Sequence, residues 1–288
     1  MKPAPFEYFQ PATVGEAVAL LGSTDDAKVL AGGQSLVPAM NFRLARPAAL
    51  VDINRLEGLD EIGASADWLT IGALVRHRAF ERPVVSGPLG SLLATAAQFV
   101  GHLPIRVRGT FAGSLAHADP ASEWCLIALT LDAKIVASSP TGERTIEASE
   151  FFQTVFTTDL RTDELVTSVR LPVLDSSFRA GFSEFSRRAG DFALVMAAAV
   201  VKVEDGTITE ARLGIGGAAD KPLRLTHAES ALVGKGAIPE TCNEIADLAA
   251  AEVNPLADIH GSSDFRRDLA RAMTRRALHA AFQEQSVS

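Results

Sequence analysis

The stretch Arg106-Val107-Arg108-Gly109-Thr110-Phe111-Ala112-Gly113-Ser114-Leu115-Ala116-His117-Ala118-Asp119-Pro120 sets small residues where a main chain must lie close to a ligand. A second such run lies upstream, where Ala31-Gly32-Gly33-Gln34-Ser35-Leu36 follows a short apolar segment. Glycine has no Cβ, so bends that other residues resist are open to it and a ligand oxygen can reach the amide N–H groups. One glycine turn is more often a tight bend than a phosphate cradle. Here there are two, each after a strand-like segment and each with a hydroxyl residue, Ser35 or Ser114, able to bond a phosphate oxygen. The pair points to one ligand gripped twice. Asp119 before Pro120 reads as an N-cap with proline at the first helical position, so the loop from Thr110 to Ala118 is expected to end at a helix start whose dipole and free N–H groups suit an anion.

Outward from these runs the chain falls into three segments. In the first, Thr13 and Glu16 form a capping box ahead of an apolar helix that Gly22 can close. Strands at Lys28 to Ala31 and Leu50 to Ile53, with a short helix started at Ser35 between them, make a small βαβ-like unit. From Trp68 short strands mix with a helix at about Leu89 to Val100, and the run from Pro120 to Leu131 is apolar enough for a buried helix. Ala133 to Ser138 and Arg144 to Glu147 form a hairpin through Pro140-Thr141-Gly142, and a strand at Leu165 to Leu171 ends at Pro172. Beyond Ser176, Gly181 to Ser186 alternates as a strand, and Met196 to Val203 and Thr207 to Ile215 flank Asp205-Gly206 as a hairpin. Thr226 and Glu229 make a second capping box, with Gly234 as a stop. A last helix, about Ser263 to Gln283, places Phe265, Leu269, Met273, Leu278 and Phe282 inward and Arg266, Arg267, Arg271 and Arg275 on the opposite, solvated face.

The 288 residues suffice for two or three small domains, and 47% hydrophobic residues supply a core. No apolar stretch reaches membrane-spanning length and the first residues show no signal-peptide h-region, so a cytoplasmic protein without an integral membrane segment is expected. A formal net charge of −8 argues against a nucleic-acid surface. Two cysteines, Cys125 and Cys242, cannot supply the four thiolates of an iron–sulfur cluster, and both lie in apolar helical patterns as buried thiols. No P-loop occurs, and Gly214-Ile215-Gly216-Gly217 lacks the spacing of a Rossmann fingerprint and reads as hairpin packing. Ser114, His117 and Asp119 are neighbours in sequence without a nucleophile elbow, so no hydrolase triad is expected. Six scattered histidines show no metal-binding spacing.

The two glycine runs, the Asp119-Pro120-Ala121-Ser122-Glu123 segment and Arg187-Arg188-Ala189-Gly190-Asp191-Phe192-Ala193 together resemble the FAD-binding medium subunit of molybdenum hydroxylases. Carbon monoxide, xanthine and N-heterocycle dehydrogenases belong to that group. The resemblance runs over essentially the whole chain, in order and at matching spacing. It implies an α+β fold: a two-part FAD-binding domain over residues 1–175, a small parallel α/β unit to about residue 57 and then a mixed five-stranded β layer, followed by a C-terminal domain over 176–288 with a three-stranded antiparallel sheet and a helix bundle.

By the same resemblance Ala31, Gly32, Gly33, Gln34, Ser35 and Leu36, with Thr110, Phe111, Ala112, Gly113 and Ser114, hold the FAD pyrophosphate and neighbouring groups, mainly through backbone N–H donors. Glu123 stands where the family commonly has an aspartate facing ribityl or adenosine hydroxyls. Phe192 lies where a tyrosine of some relatives covers the flavin ring, although a core aromatic in a strand is the other reading. The family pattern Thr-Ile-Gly-Gly-Asn is here Thr110-Phe111-Ala112-Gly113-Ser114. Ala112 adds a methyl, at a cost on the order of 1 kcal/mol if its φ is positive. Ser114 shortens one polar contact.

The implied role is electron transfer without a catalytic side chain or metal in this chain. A large partner subunit oxidises substrate at a molybdopterin cofactor, a small partner's [2Fe-2S] clusters pass single electrons, and FAD here delivers them to an external acceptor, in a heterotrimer doubled into a larger assembly. Two other readings remain open from sequence. One is a self-sufficient flavin oxidase or reductase, like the vanillyl-alcohol oxidase or enolpyruvyl reductase groups; the other is a nucleotide-binding assembly module with a structural cofactor.

Overall fold

The computed structural model describes residues 1–283. The N-terminal unit is a three-stranded parallel sheet of β1 (Glu7–Phe9), β2 (Ala27–Leu30) and β3 (Ala49–Asp52), in the order β1-β3-β2, with α1 (Val14–Ser23) and α2 (Leu36–Asn41) as its crossovers. The capping box forms: Glu16 N–H donates to Thr13 Oγ1 at 3.1 Å, and the Glu16 carboxylate accepts from Ala12 N–H at 2.8 Å. The central strand β3 is buried at all four positions, and because β2 pairs parallel with it, Leu30 opposite Asp52, the end of β3 and the turn after β2 lie at one edge of the unit.

The second unit begins with β4 (Ile62–Ala64) and β5 (Trp68–Gly72), then a 3₁₀ turn at His77–Glu81 and four helices, α3 (Pro88–Ala97), α4 (Leu103–Arg108), α5 (Phe111–His117) and α6 (Glu123–Thr130). It returns through β6 (Lys134–Ser139), β7 (Gly142–Glu147), the short α7 (Ala148–Phe151), β8 (Phe152–Thr154), β9 (Thr157–Thr158) and β10 (Leu165–Pro172). Its five-stranded sheet runs β4-β5-β10-β6-β7, and every pairing is antiparallel where a mixed layer was expected. Asp119-Pro120 does not start a helix. The Asp119 carboxylate accepts from Ala121 N–H at 2.9 Å in a local turn, and α6 begins at Glu123.

The C-terminal unit holds β11 (Phe178–Phe185), β12 (Val195–Glu204), β13 (Thr207–Gly216) and β14 (Leu223–Arg224), then α8 (Thr226–Leu232), α9 (Pro239–Glu252) and α10 (Ser263–Phe282). The sheet has four strands rather than three, because Leu223 and Arg224 add a short edge to β13. Strand β12 is apolar on both faces for a reason visible in the packing. Met196, Ala198 and Val200 join the core shared with the first two units, whereas Val195, Ala197, Ala199 and Val201 join the core under the C-terminal helices. Gly181 lets α10 lie directly on β11, since a Cβ there would sit 2.1 Å from the Ala277 carbonyl oxygen.

Two expectations for this unit fail. Thr226 and Glu229 form no capping box: the Glu229 carboxylate instead accepts from Leu213 N–H at 2.7 Å and pairs with Arg224 at 2.6 Å. In α10, Phe265 is 41% exposed and Arg266 is buried. Arg266 Nη1 donates to the carbonyls of Leu194 at 2.8 Å and Gly217 at 3.0 Å, and Nη2 to Asp258 at 2.6 Å. Carbonyls at strand ends inside the protein need donors, and the guanidinium fork serves three acceptors at once.

Candidate functional site

The first glycine run turns the chain from β2 into α2. Gly33 has φ +70°, a left-handed conformation that favours glycine, and the turn leaves the N–H groups of Gly32, Gly33, Gln34 and Ser35 without a partner among the described residues. Ser35 occupies the N-cap position of α2 without a side-chain capping bond, so its hydroxyl is also available. Four unengaged donors and a hydroxyl on one bend are suited to an oxyanion.

The second run is mostly helix, not loop. Thr110 is the N-cap of α5 and its Oγ1 accepts from Gly113 N–H at 3.0 Å, while Phe111 N–H donates to the Val75 carbonyl at 3.1 Å and Ser114 N–H to the Thr110 carbonyl at 3.1 Å. Of the amides from Phe111 to Ser114, that of Ala112 is the one left unengaged among the described residues. The Phe111 side chain is fully buried against Phe80 and Trp124. Ala112 has no positive φ and is 2% exposed in the core, so its extra methyl carries no backbone strain. Gly109, just before, is required by proximity: a Cβ there would lie 2.5 Å from His77 Nε2.

The two runs touch. A Cβ on Gly32 would fall 2.4 Å from the Arg108 carbonyl oxygen and 2.6 Å from Gly109 Cα, so glycine at 32 is what allows the backbones to meet. A polar bridge beside this contact escaped the sequence reading. Asn54 Nδ2 donates to the Ala31 carbonyl at 2.8 Å and Asn54 Oδ1 accepts from Arg76 Nη2 at 2.6 Å, while Arg76 Nη1 donates to the Arg108 carbonyl at 2.5 Å. Asp52 anchors Asn54 and receives a bond from the Tyr8 hydroxyl. Burial pushes the Asp52 carboxyl upward, but the Tyr8 and Asn54 donors outweigh it and hold the group below the usual carboxylate range. The polar Asp52-Ile53-Asn54 closing a buried strand was a usable signal; nothing local marked Arg76.

Behind the second run, Trp124 Nε1 donates to His77 Nδ1 at 2.9 Å. Burial, then the charges of Arg76 and Arg106, push His77 down to about 4, so it is a neutral acceptor at physiological pH. Glu123, the first residue of α6, is buried, and that burial pushes its carboxyl up to about 7. Glu184 on β11 pairs across from Met196 on the sheet face that meets the preceding units. Neither Glu184 carboxylate oxygen has a hydrogen-bond partner among the described residues, and burial followed by the charge of Glu123 pushes it up to about 9.

Phe192 lies in the loop between β11 and β12 and is 72% exposed, which excludes the reading of a core aromatic in a strand. Its loop is seated on the second unit, because Gly190, at φ +84°, carries its Cα so close to His102 that a Cβ would lie 2.3 Å from the ring. The structure thus joins the two glycine runs directly and sets Glu123 behind the second, while Phe192 stands on a separate loop without a ring partner among the described residues.

Comparison with known proteins places this arrangement in a family. Residues 4–174 match the model of the FAD binding domain in molybdopterin dehydrogenase, and residues 180–281 that of the CO dehydrogenase flavoprotein C-terminal domain. The nicotine 6-hydroxylase medium subunit of Paenarthrobacter nicotinovorans is 36% identical, covering 96% of this chain and 98% of the relative. The carbon monoxide dehydrogenase medium chain of Hydrogenophaga pseudoflava is 36% identical, covering 98% of this chain and 99% of its own. Among solved structures, quinoline 2-oxidoreductase from Pseudomonas putida 86 superposes with a TM-score of 0.93 at 38% identity, and carbon monoxide dehydrogenase from Hydrogenophaga pseudoflava with 0.94 at 37%, each match covering 98% of this chain and 99% of the other.

Proposed function

The chain belongs to the family of FAD-binding medium subunits of molybdenum hydroxylases, and from that membership we propose that it binds FAD across its two glycine runs and relays electrons through it. The observation that carries the reading is the set of unengaged main-chain donors at Gly32 to Ser35, on a bend in direct contact with Arg108 and Gly109. Ala31 to Leu36 hold the pyrophosphate through these amides and the Ser35 hydroxyl. Thr110 to Ser114 form the other wall, contributing the Ala112 amide and the Ser114 hydroxyl, while Thr110 itself serves the helix cap. Glu123 accepts from a cofactor hydroxyl. The exposed ring of Phe192 supplies an apolar surface for the flavin.

When bound, FAD supplies the redox chemistry, exchanging single electrons on one side and pairs on the other. The protein's contribution is binding, orientation and a fixed charge pattern. His77 is neutral, and Trp124 holds its ring in place behind the second run. The proposal includes a large molybdopterin-bearing partner, a small partner carrying the [2Fe-2S] clusters, a doubled heterotrimer and a cytoplasmic location. Two cysteines are fewer than the four thiolates a cluster takes, which supports placing the clusters on a partner.

The test is flavin content of the purified complex. Wild type should show a flavin absorption band. Gly33→Val should lower occupancy, because its φ is +70° and a Cβ would already press on Leu30 and Val37 at 3.2 Å. A colourless, correctly assembled complex refutes FAD binding. Substrate turnover by the isolated chain would favour a self-sufficient oxidase, and bound flavin that never cycles would favour a structural cofactor.

A further inference from the structure

We infer that Asn54 and Arg76 are a positioning pair that locks the two glycine runs into the register in which one diphosphate can touch both; the inference rests on the FAD reading above. Neither residue belongs to the runs. They join them from the side through one unbroken series of bonds: Ala31 carbonyl, Asn54 amide, Arg76 guanidinium, Arg108 carbonyl.

The bridge answers a specific electrostatic problem. At the contact of Gly32 with Arg108, main chains from different units approach closely, and the carbonyls of Ala31 and Arg108 both lie beside the bend whose N–H groups stand open. Neither carbonyl accepts a main-chain hydrogen bond among the described residues. An unpaired carbonyl oxygen beside an anion repels it, and a buried one without a donor is costly in its own right. Asn54 supplies the donor for Ala31 and Arg76 the donor for Arg108. The guanidinium also leaves a positive charge next to the bend.

The orientation of the bridge is fixed from below. Asp52, held ionised, can only accept, so it takes the N–H of Asn54 at 2.9 Å and Nδ2 at 2.6 Å. That leaves Asn54 Oδ1 facing Arg76, and a flipped amide would set oxygen against carboxylate. Asp52 ends the central strand of the first unit and Arg76 follows β5 of the second, where Thr110 is its bridge partner. Movement of one unit against the other therefore has to break this series of bonds before the runs can separate.

The experiment is a double-mutant cycle on FAD affinity in the full chain, stripped of flavin and titrated with FAD, and separately with ADP, which carries a diphosphate but no flavin. Asn54→Ala and Arg76→Met should each weaken both ligands about tenfold, because each cut releases the two runs from their shared register. The double variant should be no more than about threefold worse than the weaker single, because either cut severs the same bridge. Arg76→Lys, which keeps one donor for the Arg108 carbonyl, should recover part of the loss. Asn54→Asp keeps an acceptor for Arg76 but sets a second carboxylate against Asp52 in place of the amide donors, so it should weaken binding at least as much as Asn54→Ala. Additive losses, no rescue by lysine, or variants that bind as tightly as wild type overturn the positioning role while leaving FAD binding intact. Wild type that binds neither ligand overturns the FAD reading itself.

Discussion

Replacing Glu184 by glutamine should flatten the chain's loss of stability above neutral pH. Both carboxylate oxygens of Glu184 are enclosed without a hydrogen-bond partner among the described residues, and burial pushes the group up to about 9. In the unfolded chain it returns to the ordinary value of about 4.3. Between those values the folded protein keeps a proton that the unfolded chain releases, so rising pH favours unfolding, by up to about 1.4 kcal/mol per pH unit. Glu123 adds the same sign, but only up to about 7. From pH 7 to 9 Glu184 is thus the larger contributor of the two, and wild type should lose about 2–3 kcal/mol, or roughly 5–10 °C in Tm. Glutamine has the same shape and no titration, so its own burial cost is the same at every pH. The assay is denaturant and thermal unfolding of wild type and Glu184→Gln at pH 6, 7, 8 and 9, reading the slope and not the absolute stability. Parallel pH profiles would refute the claim that this carboxyl is held protonated inside the fold.

Glu123→Gln should abolish a pH dependence of FAD binding: a carboxyl titrating near 7 that accepts from a cofactor hydroxyl gives tighter binding from pH 6 to 8, and a dissociation constant flat in wild type over that range would refute the role. Arg266→Met should destabilise the chain by about 3 kcal/mol, since it orphans the carbonyls of Leu194 and Gly217, and chemical denaturation would measure it. A change below about 0.5 kcal/mol would mean that water replaces the guanidinium.

Local rules were legible wherever the stabilising partner lies within a few residues. Asp205 and Gly206 have φ of 48° and 77°, the two positive values that a two-residue hairpin turn needs, and that chemistry is written in the pair itself. Thr13 and Glu16 likewise meet over three positions. Misreadings arise where tertiary contacts decide. Thr110-Phe111-Ala112-Gly113 looks like a loop because of its small residues, yet Thr110 caps a helix there and the glycine is small because Thr110 Oγ1 would lie 2.6 Å from a Cβ. Glu229 sits three residues after Thr226 as a capping box demands, but a β13 amide and Arg224 compete for it and win. Arg266 falls on the charged stripe of α10, and two distant carbonyls and Asp258 draw that one side chain inward. The Asn54–Arg76 bridge spans 22 residues of sequence and obeys no periodicity.

The same logic explains why the site residues lie where they do relative to the C-terminal unit. All eight residues of α6 are buried, with no polar face, because the helix is covered from both sides: Trp124 meets Phe80 and Phe111 of its own unit, while Leu126 and Thr130 lie on β13. Gly214 permits that second contact, since a Cβ would fall 2.1 Å from Thr130 Oγ1 and 2.7 Å from Leu126 Cδ1. In the Gly214-Ile215-Gly216-Gly217 run, Gly214 therefore serves packing between units, whereas Gly216 serves the expected hairpin packing, since a Cβ there would fall 2.4 Å from Met196 Cε on the paired strand. Gly217 N–H donates to the Pro120 carbonyl at 2.9 Å, three residues before the start of α6. A helix wedged this way cannot shift without disturbing both cores, so Glu123 at its first turn and the α5 segment against it keep a fixed position relative to β11 and the Phe192 loop. The two-sided cofactor site proposed above would draw its rigidity from this wedge, and the glycines at 32, 109 and 214 are three positions around it where the neighbours leave no room for a Cβ.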